Sequence, residues 1–235
     1  MEKKIVIPGE FLSDNSSKAG DGTYVHEGKV YSKFFGLVSE RDKIQVVSLS
    51  GKYLPSISDI VIGTVVEISY SNWFLDINSP YEGRLNISEF SRRIESGNMM
   101  EYLNIGDSVV VMVKEVTPSM KVELTMRNHK LRSITNGRIF KISPSKVPRV
   151  IGRSGSMISM LKKETNCDIV VGQNGFVWVT GKEKDIDHVI EGLHIIEKEA
   201  HTKGLTDRVS VFLKEDYEDK PVDSTNLEIL NELLD

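Results

Sequence analysis

Ile151-Gly152-Arg153-Ser154-Gly155-Ser156-Met157-Ile158 places two glycines three residues apart, with a cation between them, at the head of an amphipathic run. Glycine has no Cβ, so the backbone here can approach an anion more closely than any other residue type permits. The run from Ser156 to Thr165 carries Met157, Ile158, Met160 and Leu161 as an apolar face and predicts a helix. The first N–H groups of such a helix and the positive end of its dipole point at the same place. Arg149, Ile151, Gly152, Arg153, Ser154 and Gly155, with Lys162 and Lys163 from the helix, are therefore the candidate contacts for a chain of phosphates.

Working outward, Arg138–Ile142 reads as a strand, Pro144 and Pro148 break the chain, and Val147–Ile151 forms a short helical turn. Downstream, Asp168–Val171 and Phe176–Thr180 are strands joined by Gly172-Gln173-Asn174-Gly175. Asn-Gly is the preferred pair for a tight hairpin turn with positive φ at both residues, and Asn174-Gly175 is read that way. Trp178 is expected as a buried ring on its strand. A long helix spans Lys184–His201, with Val189, Ile190, Leu193 and Ile196 at helical spacing. Thr202, Gly204, Thr206 and Asp207 suit a helix end followed by a new N-cap. The order β-α-α-β-β-α, with Gly-x-x-Gly between the first two helices, resembles a type I KH domain. That resemblance implies a clamp for the backbone of single-stranded RNA.

Charge supports an anion partner. The whole chain carries a net charge of −4, yet no acidic residue lies between Glu123 and Glu164. Arg127, Lys130, Arg132, Arg138, Lys141, Lys146, Arg149, Arg153, Lys162 and Lys163 fall in that window and bracket the glycine pair. The far end is acidic: Glu215, Asp216, Glu218, Asp219, Asp223, Glu228, Glu232 and Asp235 stand against Lys220 alone. Thr225 and Glu228 are spaced as a capping box ahead of Leu230 and Leu233.

Between Ser58 and Met126, Val61–Ile68, Trp73–Ile77, Arg84–Ile87, Ser108–Val116 and Val122–Met126 predict five short strands, the pattern of an OB-type barrel. Trp73, Leu75 and Ile77 form its core side, which leaves Phe74 as an exposed ring for base stacking. Ser88–Leu103 reads as a polar, partly helical insertion carrying Arg92 and Arg93. Gly63-x-Val65, Trp73-Phe74-x-Asp76-Ile77, Glu82-Gly83-x-Leu85-x-Ile87 and Gly106-Asp107-x-Val109-x-Val111 resemble an S1 RNA-binding domain. At the positions where S1 domains often carry two aromatics, a histidine, an acid and a base, this chain has Ser71, Phe74, Asn86, Thr117 and Lys121. Phe74, Asn86 and Lys121 are the candidate RNA contacts, and weak, sequence-tolerant binding is the expectation.

The segment before Pro55 reads as β structure: Lys4–Ile7, Gly22–Val25, Lys29–Phe35 and Ile44–Leu49 are strands, with a turn at His26-Glu27-Gly28 and a loop over Asp14–Gly22. His26 has no second histidine or cysteine nearby and is read as a solvated turn residue. The single cysteine, Cys167, excludes an intramolecular disulfide and a multi-cysteine zinc site, and is read as a small buried residue. No apolar run approaches the length of a membrane helix, no catalytic constellation is legible, and no cofactor is expected. These features predict a cytoplasmic protein.

The fold class is thus multidomain β and α+β. An N-terminal β docking domain (1–57) precedes an S1 β-barrel (58–130), a type I KH domain (131–213) and an acidic C-terminal tail (214–235). With Val6-Ile7-Pro8-Gly9-Glu10, Val147-Pro148-Arg149-Val150-Ile151-Gly152, Gly172-Gln173-Asn174-Gly175 and Gly204-Leu205-Thr206-Asp207-Arg208, that order resembles the RNA-binding cap subunits of the archaeal exosome. The resemblance implies a non-catalytic subunit, three copies per complex, docked by its N-terminal domain on a hexameric RNase PH-like ring. Copies of the zinc-ribbon cap type are possible companions. It implies capture of single-stranded RNA, with preference for A-rich tails, for 3′–5′ degradation and processing. From the residues alone, a free-standing translation or RNA-chaperone factor, and a nuclease, stay open as alternatives.

Overall fold

The computed structural model describes residues 4–218, apart from 41, 50, 91, 93, 201 and 203. The chain divides into two compact units. The first holds Met1–Ser133, Ser143–Val147 and Gly172–Phe176, and the second holds Ile134–Ile142, Pro148–Val171 and the chain from Val177.

The first unit opens with six strands: β1 (Ile5–Val6), β2 (Phe11–Ser13), β3 (Thr23–His26), β4 (Lys29–Ser32), β5 (Gly36–Glu40) and β6 (Ile44–Ser48). They form two three-stranded sheets, β1-β5-β6 and β2-β4-β3. Glu27 and Gly28, both at positive φ, make the two-residue turn between β3 and β4. The expected single strand Lys29–Phe35 is cut short. Ser32 is buried and its Oγ donates to the Phe34 carbonyl at 2.7 Å, which turns the chain into β5. Strands β2 and β5 are additions to the sequence reading.

Five strands then close a barrel of the OB type: β7 (Ile60–Ile68), β8 (Asn72–Asp76), β9 (Gly83–Asn86), β10 (Ser108–Val116) and β11 (Val122–Thr125). Their order is β11-β9-β8-β7-β10, and a β10–β11 pairing seals it; β12 (Ser133–Ile134) follows as the last strand of that sheet. Period-2 alternation sends Trp73, Leu75, Leu85 and Leu124 into the core, all essentially inaccessible to solvent. Each fully buried side chain of this size contributes about 1.5–3 kcal/mol. The Ser88–Leu103 insertion, expected to be polar, supplies buried Phe90, Ile94, Met99 and Leu103. It carries a 3-10 turn at Ser96–Asn98 followed by α1 (Met99–Tyr102), itself a single turn. Phe90 packs on Trp73 with ring centroids 5.6 Å apart, and Trp73 Nε1 donates to the Leu103 carbonyl at 3.1 Å. Arg93 lies outside the described residues.

Ahead of the barrel, the Tyr53 hydroxyl donates to Asp59 Oδ2 at 2.7 Å, and Ser56 N–H donates to the same oxygen at 3.1 Å. Burial, and then the carboxylate it serves, push the Tyr53 phenol far above its ordinary value.

The expected turn joins β14 (Asp168–Val171) to β15 (Phe176–Thr180), closed by Gly175 N–H donating to the Gly172 carbonyl at 3.1 Å, but Asn174 corrects its details. Only Gly175 of the Asn-Gly pair has positive φ, and Asn174 is fully buried within the first unit. Its Nδ2 donates to the carbonyls of Ile62 (2.6 Å) and Ile77 (2.9 Å), while Oδ1 accepts from Ile62 N–H at 3.3 Å. Gln173 N–H donates to the Ile60 carbonyl at 2.8 Å, and Asn78 Nδ2 to the Asn174 carbonyl at 2.7 Å. Within that turn the side chain acts as a short piece of β-ladder.

The second unit contains β13 (Arg138–Lys141), α2 (Val147–Ile151), α3 (Ser156–Thr165), β14 (Asp168–Val171), β15 (Phe176–Thr180), α4 (Glu183–Lys198) and α5 (Leu205–Glu218), with Val147 and Phe176, the first residues of α2 and β15, falling in the first unit. The sheet order is β13-β15-β14, with β14 and β15 antiparallel. Helix α3 turns Met157 and Leu161 inward, α4 turns Ile186, Val189, Leu193 and Ile196, and α5 adds Leu205, Val209 and Leu213. Trp178 is buried and donates from Nε1 to the Asn136 carbonyl at 2.8 Å. Helix α5 runs on past residue 214, where the acidic tail is expected to begin. Residues from 219 on, including Thr225, Glu228, Leu230 and Leu233, lie outside the described part.

Candidate nucleic-acid interface

The glycine pair adopts backbone conformations that explain the residue choice. Gly152 sits at φ 75°, ψ 177°, a region that side-chain-bearing residues avoid, and Gly155 is left-handed at φ 78°, ψ 15°. Between them Ser154 is also left-handed, at φ 49°, ψ 30°. A Cβ on Gly152 would lie 2.7 Å from the Met157 backbone nitrogen, whereas one on Gly155 meets nothing closer than Ile158 at 3.8 Å. The loop therefore folds back against the first turn of α3. Gly155 is the N-cap of α3 and offers no side-chain oxygen, so no side chain caps the first N–H groups there. Arg153 and Ser154 are exposed, and Arg153 has no ion-pair partner among the described residues. The Gly155 and Ser156 N–H groups donate to the Gly152 and Arg153 carbonyls within the loop, so what the arrangement offers an anion is the exposed Arg153 beside a helix start that no side chain caps.

The other predicted loop contacts separate. Lys162 and Lys163 occupy the last turn of α3, which puts Lys163 about 12 Å along the axis from Gly155. Both complement the helix dipole there. Lys162 is also engaged with Asp168 at 2.7 Å, whereas Lys163 is exposed with no ion pair among the described residues. Ile151 is half-buried at the end of α2. Arg149 donates from Nε to the Ala200 carbonyl at 2.5 Å and from Nη2 to the Thr202 carbonyl at 3.1 Å. It holds the segment that leaves the C-terminus of α4, where a lysine's single ammonium cannot serve two separated carbonyls as a planar fork does. Arg149→Lys is therefore expected to destabilise the second unit by about 1–2 kcal/mol. Urea denaturation checks this, and an unchanged midpoint contradicts it.

On the barrel, the outward face of β8 and β9 carries Asn72, Phe74, Arg84 and Asn86, with Asn72 opposite Asn86 and Phe74 opposite Arg84. Phe74, expected as an exposed ring, is half-buried. Asn86 is committed to structure. Its Nδ2 donates to Asn72 Oδ1 at 2.9 Å, and its Oδ1 accepts from the N–H and hydroxyl of Ser88 at 2.9 and 2.7 Å. Lys121 is exposed, and its backbone N–H donates to Thr117 Oγ1 at 3.1 Å. Two residues were missed. Arg84 faces Phe74 across the strands and pairs with Glu123 at 2.5 Å; strand alternation signals it. Tyr70 is 84% exposed in the β7–β8 turn, and its signal is an aromatic among Ser69, Ser71 and Asn72. Two basic residues of the run are also engaged: Arg127 donates to the Ser88 carbonyl at 2.9 and 2.6 Å, and Arg138 pairs with Glu183 and Asp187 at 2.7 Å each. Glu89 accepts from Lys114 at 2.8 Å, and that bond holds its carboxyl below the usual carboxylate range.

Among the described residues no three or more His, Cys, Asp or Glu are grouped to hold a metal ion, and no helix is long and apolar enough to cross a membrane.

Three family models match in the order the fold shows. They are an exosome complex exonuclease RRP4 N-terminal region over residues 5–40, an RRP4 S1 domain over 52–115 and a KH domain over 137–185. The chain is similar to proteins named exosome complex component Rrp4. One from Methanosarcina mazei is 52% identical over 95% of this chain and 88% of its own length. One from Methanothermus fervidus is 47% identical over 90% and 96%. A crystal structure of a protein assigned as an exosome complex RNA-binding protein aligns with a TM-score of 0.66 at 35% identity, covering 72% of this chain and 98% of that one.

Proposed function

The chain belongs to the Rrp4 family of exosome components, and on that footing we propose that it captures single-stranded RNA and feeds it to an exoribonuclease ring without cutting it. The observation that supports this reading is the Gly152–Gly155 loop, in which the exposed Arg153 stands beside a helix start that no side chain caps. Phosphates lie against the loop, and binding releases their counterions. Tyr70, Phe74 and Lys121 of the barrel supply further weak contacts: a stacked base contributes about 1–3 kcal/mol where a ring is free to take it. Weak modules suit a guide that must let RNA slide. Repeated in three copies on one RNase PH-like ring, alone or mixed with zinc-ribbon caps, they gain affinity through high effective concentration.

In this reading the N-terminal domain docks on the ring, the site of action is the cytoplasm, and A-rich tails are preferred. The absence of catalysis is tested directly. The purified chain, incubated with 3′-oligoadenylated RNA and either phosphate or Mg²⁺, is expected to leave the RNA intact. Native purification is expected to recover it with RNase PH-like subunits. Robust decay by the lone chain, or recovery with ribosomes in place of the ring, contradicts the assignment.

A further inference from the structure

The β2-β4-β3 sheet of the N-terminal domain presents an aromatic face that the S1 and KH modules do not account for. Phe11 and Tyr24 both lie opposite Tyr31 in strand register. The Tyr24 and Tyr31 rings stack with centroids 5.5 Å apart and planes at 24°, and Phe11 meets Tyr31 edge-on at 6.0 Å. Phe11 is 43% and Tyr24 39% exposed. His26, two residues beyond Tyr24, shares the face, with its ring 6.5 Å from that of Tyr31, and Lys29 lies opposite His26. Lys29 is exposed and has no ion pair among the described residues, while His26 lies 3.9 Å from the exposed carboxylate of Glu27.

The other sheet of this domain is different. There Ile5, Leu37 and Val47 align across β1, β5 and β6, with Ile5 and Val47 about half exposed. Exposed aliphatic groups suit a protein partner. Open aromatic faces beside a lysine and a histidine suit an unstacked base and its phosphate. We propose that the Phe11–Tyr24–Tyr31 face is a further platform for single-stranded RNA. A base stacks on Tyr24 or Phe11, and Lys29, with His26 when protonated, takes the adjoining phosphate. The platform goes beyond the glycine-loop reading and does not depend on it.

The test uses the full chain and a short oligoadenylate, with affinity measured for Phe11→Ala/Tyr24→Ala, Lys29→Glu and Gly155→Asp. The double variant is expected to bind about tenfold more weakly, within the range of one lost stacking contact. The same loss should be seen when the double variant is made in a Gly155→Asp background. Photo-crosslinked RNA should map to the peptide spanning Tyr24–Tyr31. Lys29→Glu, at an exposed strand position, carries the test if the double variant fails to fold, and is expected to weaken binding severalfold. Unchanged affinity in folded variants, no crosslink in that peptide, or loss of association with ring subunits at unchanged RNA affinity overturns the platform. Loss at the platform with no effect of Gly155→Asp keeps the platform and refutes the glycine loop.

Discussion

Asn174→Ala is expected to lower the stability of the first unit by about 3 kcal/mol or more, a large loss for a single polar side chain. The side chain satisfies the Ile62 N–H and the carbonyls of Ile62 and Ile77 in a site closed to water. Truncation strands those groups, and each buried orphan costs about 1–3 kcal/mol. Asn174→Asp is expected to be worse, because a carboxylate in place of Nδ2 would face two carbonyl oxygens with no proton to offer. Gly172→Ala attacks the same point from the other side, since its Cβ would lie on Asn174 Oδ1. Gln173→Ala is the control: its side chain is exposed and its backbone N–H makes the contact, so a change within about 0.5 kcal/mol is expected. Chemical denaturation reads all four. An Asn174→Ala protein as stable as the parent would mean that the ladder contributes nothing.

The second large effect is on binding. Gly155→Asp is expected to weaken single-stranded RNA binding at least tenfold while the melting temperature stays close to that of the parent. The left-handed φ of Gly155 is one that Asp adopts at modest cost, and its Cβ has room. The added carboxylate repels phosphate at the start of α3 and competes for the same amides. Gly152→Asp would not serve the same purpose. Its Cβ would press on the Met157 backbone in a φ/ψ region closed to Asp, so lost binding and lost folding would be confounded.

Architecture was legible in the sequence where periodicity and punctuation agree. The alternation around Trp73, the glycines at 83 and 106 and the helical spacing of Val189, Leu193 and Ile196 each lead to the element observed. Phe11–Ser13 and Gly36–Glu40 were missed because strands of three and five residues without strict alternation leave little pattern. The Ser88–Leu103 insertion was misjudged because its apolar residues are scattered among polar ones with no single period, and only packing on Trp73 shows which way they point.

The site was less legible. The glycine loop can be read from spacing because its chemistry is in the backbone. The surrounding cations cannot, because charge in a sequence does not reveal whether a side chain is already engaged. Arg149 and Lys162 prove to be tied to protein partners, while Arg153 and Lys163 have no ion pair among the described residues. Asn174 was hidden by its own neighbour: Asn-Gly so often marks a turn that a buried ladder role leaves no trace in the residue string.

The most direct measurement is the affinity of the full chain for a single-stranded oligoadenylate across a series of salt concentrations. If backbone amides and free cations hold about three phosphates, log K falls with log salt at a slope of about −2, and Gly155→Asp flattens it by about 0.7. A slope near zero, unaltered by that substitution, would contradict the claim that this chain grips RNA by its phosphates.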